Sequence, residues 1–124
     1  MPSERFTKAR RVRRRREFQR VFDLSLRTKG RFFTVLMAPN TEGTSRLGIV
    51  ASRKLGDAVR RNRAKRLIRE FFRHISEPSG QGIDVVVIPR RELFDAAYST
   101  LESDFRGALK RGVARLPAPA DAAR

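Results

Sequence analysis

The sequence predicts a small α+β domain, a sandwich of helices on one central mixed sheet. Three observations lead there. Residues 57–75 place apolar side chains at helical spacing. Residues 83–88 read I-D-V-V-V-I, a β-branched run stopped by Pro89. The remaining periodic segments give the order helix, strand, strand, helix, strand, helix within 124 residues, a length that suits one core and leaves no room for a second.

The elements follow in order. Residues 1–11 form a flexible basic arm ahead of a single domain at 12–115. From Arg14 to Leu26, Phe18, Val21, Phe22 and Leu26 recur at helical spacing, and Thr28–Gly30 breaks the helix. Arg31–Ala38 is rich in strand formers, Pro39–Ser45 is a polar turn, and Arg46–Ser52 is the returning strand of a hairpin. Gly56 ends that segment and Asp57 is placed to cap a helix running to about Ile75. Glu77–Gln81 is a loop. Ile83–Ile88, the most apolar strand, belongs at the centre of the sheet. Leu93 to about Val113 is a helix with Tyr98, Leu101, Phe105, Ala108 and Leu109 on its core face. The tail, 116–124, opens Pro117-Ala118-Pro119-Ala120 and is expected to be disordered.

Charge narrows the function. Lys and Arg total 29 against 13 Asp and Glu, a net of +16. The excess sits in two blocks. Residues 1–16 hold eight basic residues against Glu4, and residues 53–73 hold nine against Asp57 and Glu70. A localised excess of this size points to a polyanionic partner. Arg, whose planar fork suits phosphate oxygens, far outnumbers Lys, found only at positions 8, 29, 54, 65 and 110. The chain has no Cys, which excludes disulfides and thiolate zinc sites. His74 is the sole histidine, and the acids are scattered without the pairing of a metal-dependent nuclease. No apolar run approaches the ~18 residues of a membrane span. No secretory signal is evident, and the expected compartment is the cytoplasm.

On a helical wheel, Ala64, Leu67, Ile68, Phe71, Phe72 and Ile75 share one arc and must face the core. Asn62, Arg66, Arg69 and Arg73 fill the opposite arc, with Arg63 and Lys65 at its margins. Like charges one turn apart repel by a few tenths of a kcal/mol per pair, a cost that bound phosphates would remove. Such a row is either a solvated face or a nucleic-acid contact, and the localised charge favours the second.

The residues G-D-A-V-R-R-N-R-A-K-R-L-I-R-E-F-F-R (Gly56–Arg73) closely resemble the signature of the bacterial ribonuclease P protein component. Ser52–Gly56 (S-R-K-L-G) and Arg13–Phe22 (R-R-R-R-E-F-Q-R-V-F) are also similar to that family. The likeness runs from about Val12 to Leu109. It implies that the basic helix lies in a left-handed crossover between parallel strands, against the common rule. It also implies a protein subunit, without catalytic residues of its own, that assists a catalytic RNA in removing the 5′ leader from precursor tRNA. By the resemblance, Arg53, Lys54, Arg61, Asn62, Arg63, Lys65, Arg66 and Arg69 hold the catalytic RNA. Arg13, Arg14, Phe18, Phe22, Phe33 and Val35 line a cleft for the single-stranded leader. No metal or cofactor is expected on protein residues alone, and Mg2+ is expected on the RNA subunit. The expected partners are the catalytic RNA and precursor tRNA, with no membrane and no obligate protein partner.

Two other readings use the same residues. A general structured-RNA-binding protein, such as a ribosomal protein or RNA chaperone, would bind many RNAs and alter no cleavage. A stand-alone metal-dependent nuclease would cut without RNA. Phe residues at i, i+4 also commonly belong to a core.

Overall fold

The structure is a computed structural model that describes residues 11–12, 14–24, 26–41, 43–75 and 82–116. Residues 1–10, the loop at 77–81 and the tail at 117–124 lie outside them. The elements are α1 (Arg15–Leu24), β1 (Leu26–Lys29), β2 (Phe33–Pro39), β3 (Arg46–Ile49), α2 (Ala58–Arg73), β4 (Ile83–Pro89) and α3 (Tyr98–Arg115). Short 3-10 turns at Arg53–Leu55 and Arg91–Asp95 precede α2 and α3.

One four-stranded sheet runs in the order β1-β2-β4-β3. The expected hairpin between the second and third strands does not form. β4 lies between them, antiparallel to β2 and parallel to β3. The physical reason is burial: apart from half-buried Ile88, every β4 residue from Ile83 to Pro89 is buried, and a strand covered on both faces gains most when both edges are also paired. α2 is therefore the crossover from β3 to β4. Two further expectations change at the margins. The first helix stops at Leu24, and Leu26–Lys29 becomes an edge strand paired with residues 34–37 of β2. The expected helix from Leu93 divides, because the chain is extended at Ala96 and Ala97 before α3 begins. Arg11, assigned to the flexible arm, bridges Leu47 at the outer edge of β3, where the Val12 amide donates to the Leu47 carbonyl at 2.9 Å.

The two faces of the sheet carry different layers. Phe33, Val35 and Met37 of β2, with Ile83, Val85 and Val87 of β4, join Ala64, Ile68, Phe71 and Phe72 of α2 and Leu101, Phe105, Ala108 and Leu109 of α3 in the main core. The opposite face carries α1 over a small cluster of Val21, Leu36, Ala38 and Val86, flanked by Phe18, Val50 and Ile88.

Candidate nucleic-acid interface

α2 is fixed at its start by chemistry legible in the sequence. Gly56 has φ +144°, a conformation that favours glycine, and turns the chain out of the preceding 3-10 turn. Asp57 then caps the helix, its carboxylate accepting from the Arg60 amide at 2.9 Å. With Ala64, Ile68, Phe71 and Phe72 buried below, Asn62, Arg63, Arg66 and Arg73 face solvent, and Lys65 and Arg69 are half-buried at one margin. Arg53 and Lys54 are exposed in the lead-in turn. The structure thus brings seven of the eight residues assigned to the RNA subunit into one continuous exposed or half-exposed tract. Arg61 differs in its engagement: it is half-buried and donates to the Gly56 carbonyl at 2.9 Å.

The leader-cleft residues divide. Phe18 and Phe22 both lie on α1, and Phe22 remains 38 % exposed. Phe18 lies against Gly48 of β3, where a Cβ would stand 2.8 Å from the ring. Arg14 is exposed just ahead of α1, and Arg13 lies outside the described residues. Phe33 and Val35 do not reach α1. Both are fully buried on the other face of the sheet, and Phe33 packs edge-on against Phe71 and Phe105, with centroids 6.5 and 5.6 Å away. Side chains alternate between faces along a strand, so an assignment one residue out of register moves the whole set. The face beneath α1 is built instead from Thr34, Leu36 and Ala38, paired across the sheet with Ile88, Val86 and Asp84. Val50 and Ile88 are half-buried beside that cluster.

The two surfaces meet at the edge of β3. Arg11, Val12 and Phe18 on one side, and Lys65 and Arg69 on the other, flank Leu47, Gly48 and Ile49 in a groove of about 260 Å³. Burial, followed by the charge of Arg11, lowers the pKa of Arg69 from its ordinary value. Partial burial beside a second cation favours occupation of such a groove by an anion. Sequence reasoning missed Arg11, because the pairing of its backbone with β3 has no local signature.

It also missed how α1 is held. Arg20 of α1 pairs with Asp84, a fully buried carboxylate on central β4, and Glu17 of α1 pairs with Arg46, which also pairs with Asp84. The signal was an Asp inside an otherwise apolar strand, because a buried charge requires partners. Among the described residues, no group of three or more His, Asp or Glu is placed to hold a metal ion, and no helix is long and apolar enough to cross a membrane.

Comparison with known proteins places this geometry. The Ribonuclease P family matches residues 6–113. The ribonuclease P protein component of Thermotoga petrophila is 44 % identical over 91 residues, covering 73 % of this chain and 78 % of that one. That of Caldanaerobacter subterraneus subsp. tengcongensis is 34 % identical over 100 residues, covering 81 % and 86 %. The RNase P protein structure from Thermotoga maritima superposes with a TM-score of 0.74 at 39 % identity, covering 82 % of this chain and 96 % of that one. The structure from Staphylococcus aureus gives 0.75 at 34 % identity, covering 84 % and 95 %. With sequence, element order and sheet in agreement across the described domain, the chain belongs to the bacterial ribonuclease P protein family.

Proposed function

We infer that this chain, the protein subunit of a ribonuclease P holoenzyme, docks on the catalytic RNA through α2 and its lead-in and holds the 5′ leader of precursor tRNA on the α1 side of the sheet. The observation that carries the reading is the cation tract from Arg53 to Arg73, anchored by a buried apolar arc and open to solvent. A row of guanidinium and ammonium groups at one-turn spacing matches a phosphate backbone, and Asn62 adds a donor and an acceptor within it. Phe18 and Phe22, beside exposed Arg14, Arg15 and Arg16, give an apolar ledge next to cations, the combination that binds single strands. Val50 and Ile88 extend that ledge onto the sheet in the place first given to Phe33 and Val35.

The protein's part is then binding and charge neutralisation. It lowers repulsion between two polyanions and adds leader contacts that mature tRNA lacks, which raises affinity for substrate over product. The metal that assists phosphodiester cleavage is assigned to the RNA. The test is cleavage of precursor tRNA at low Mg2+ with protein alone, RNA alone and both. Cleavage is expected from the RNA at a low rate and from the mixture at a much higher one. Cleavage by RNA-free protein, or no stimulation by the mixture, would overturn this reading.

A further inference from the structure

We propose that Asp84, which no substrate can touch, is a positioning residue for leader recognition, acting by fixing α1 against the sheet. The proposal rests on the leader-binding role given to α1 above.

The apolar contact under α1 is small. Val21, Leu36, Ala38 and Val86 are its buried members, with Phe18 of α1 packed against them in part, and two apolar side chains from a ten-residue helix set its rotation only loosely. The polar contact beside it is dense. Asp84 is fully buried and accepts four hydrogen bonds. Arg46 of β3 donates twice in a fork, Nε to Oδ1 and Nη2 to Oδ2, both at 2.8 Å. Asn40 donates to Oδ1 at 2.7 Å, and Arg20 of α1 donates to Oδ2 at 3.3 Å. Arg20 also donates to the Pro39 carbonyl at the end of β2. The third Arg46 nitrogen, Nη1, donates to Glu17 of α1 at 3.1 Å. Glu17 in turn accepts from the Arg14 amide at 3.0 Å and so closes the start of the helix.

Glu17 and Arg20 stand one turn apart on α1. The network therefore grips the helix at two points around a single buried charge, and two points fix its rotation. Phe18 and Phe22 lie on the same helix, so their aim over the sheet follows from that rotation. The fork matters because a guanidinium held by two parallel bonds cannot pivot about either one. A buried carboxylate so fully bonded contributes little net stability compared with an apolar replacement. Its value to the molecule is directional.

The test uses the assembled holoenzyme and compares Kd for precursor tRNA with Kd for mature tRNA, beside the affinity of the protein for its RNA subunit. Asp84→Asn keeps the side-chain volume but turns one acceptor into a donor facing arginine. Glu17→Gln is the second variant and the decisive one. It removes a negative charge near bound RNA, so electrostatics alone predicts equal or tighter binding of every RNA. Positioning predicts the opposite sign for the leader: a loss of about tenfold in precursor affinity, the worth of roughly one base stack. Affinities for mature tRNA and for the RNA subunit should stay unchanged. Wild-type discrimination retained in folded Glu17→Gln and Asp84→Asn proteins would overturn the proposal. Should Asp84→Asn fail to fold, Glu17→Gln, whose side chain is partly exposed, decides alone. Absence of any leader-dependent affinity in the wild type would instead overturn the leader-binding reading beneath it.

Discussion

Replacing Lys65, Arg66 and Arg69 together by alanine separates binding from stability by sign. Leaving out Arg61, which is engaged with the Gly56 carbonyl, six cations of the assigned set face or border solvent: Arg53, Lys54, Arg63, Lys65, Arg66 and Arg69. Each phosphate contact contributes roughly −0.7 to −0.9 to the slope of log K against log salt, so six give about −4 to −5. The triple variant should flatten that slope by about 2–3. Folding should move the other way. Lys65–Arg69 and Arg66–Arg69 are like-charge neighbours at i, i+4 and i, i+3, and Arg69 also sits beside Arg11. Removing each repulsive pair returns roughly 0.2–0.5 kcal/mol at low salt, and alanine favours the helix. The free protein should therefore melt no lower than wild type while binding its RNA subunit more weakly. Filter or fluorescence titrations at four or more salt concentrations read the slope, and a thermal melt reads the fold. An unchanged slope in a folded triple variant would refute the assignment of this face.

Three more outcomes follow from the same structure. Phe22→Leu should cost less than about 1 kcal/mol of stability and, if the ring stacks on a base, about 1–3 kcal/mol of precursor binding. Phe33→Ala should cost about 3–5 kcal/mol of stability and leave the ratio of precursor to mature tRNA affinity unchanged in the folded fraction. Equal effects at both positions on that ratio would mean that the two faces of the sheet are not separate. Tyr98, the sole tyrosine in a chain without Trp, donates to Glu70 at 2.7 Å. That hydrogen bond, then burial and the Glu70 charge, raises its pKa above the ordinary 10.0. The folded state thus holds the phenolic proton more tightly than the unfolded state, so this contact's contribution is present below pH 10 and is lost as pH rises through the raised pKa. Absorbance titration of tyrosinate should show a midpoint that falls in Glu70→Gln, and an unmoved midpoint would contradict the contact.

The legible parts were those set by local rules. The Asp57 cap, the buried arc from Ala64 to Phe72 and the exposed arc from Asn62 to Arg73 all follow from the 3.6-residue period and capping chemistry. So does the central place of the I-D-V-V-V-I strand, whose composition requires cover on both faces. What was not legible was pairing at a distance. Residues 26–29 contain too few apolar side chains to declare a strand, and they become one because the β2 edge is there to pair with. The parity of β2 was also hidden. Its run F-F-T-V-L-M is apolar on both faces, so alternation could not say which residues look toward α1. Asp84 carried that information: on the paired strand it marks the face where polar partners from α1 and β3 can reach, and register then gives Leu36 and Ala38 to the same face.

The placement of acids explains why the cation row is left facing outward in a fold that also contains many carboxylates. Asp57 is spent on the α2 amides, Glu70 accepts from Tyr98, and Asp104 of α3 accepts from the Arg31 and Phe32 amides at 2.9 and 2.8 Å. Glu17 and Asp84 are occupied beneath α1. Each sits where geometry gives it a fixed donor, and none of these bonds draws on Arg63, Lys65, Arg66, Arg69 or Arg73. A surface ion pair is worth at most about 1 kcal/mol, so pairing those cations within the chain would have gained little stability. It would also have required each such pair to be broken before the cation met a phosphate. The α2–α3 contact instead rests on ring packing, with Phe71 against Phe105 at 5.6 Å and Tyr98 at 5.2 Å, beside the Tyr98–Glu70 hydrogen bond. Stability therefore comes from one arc of α2 and charge from the other. This separation leaves the cations of α2 at the solvent side while its apolar arc is packed in the main core.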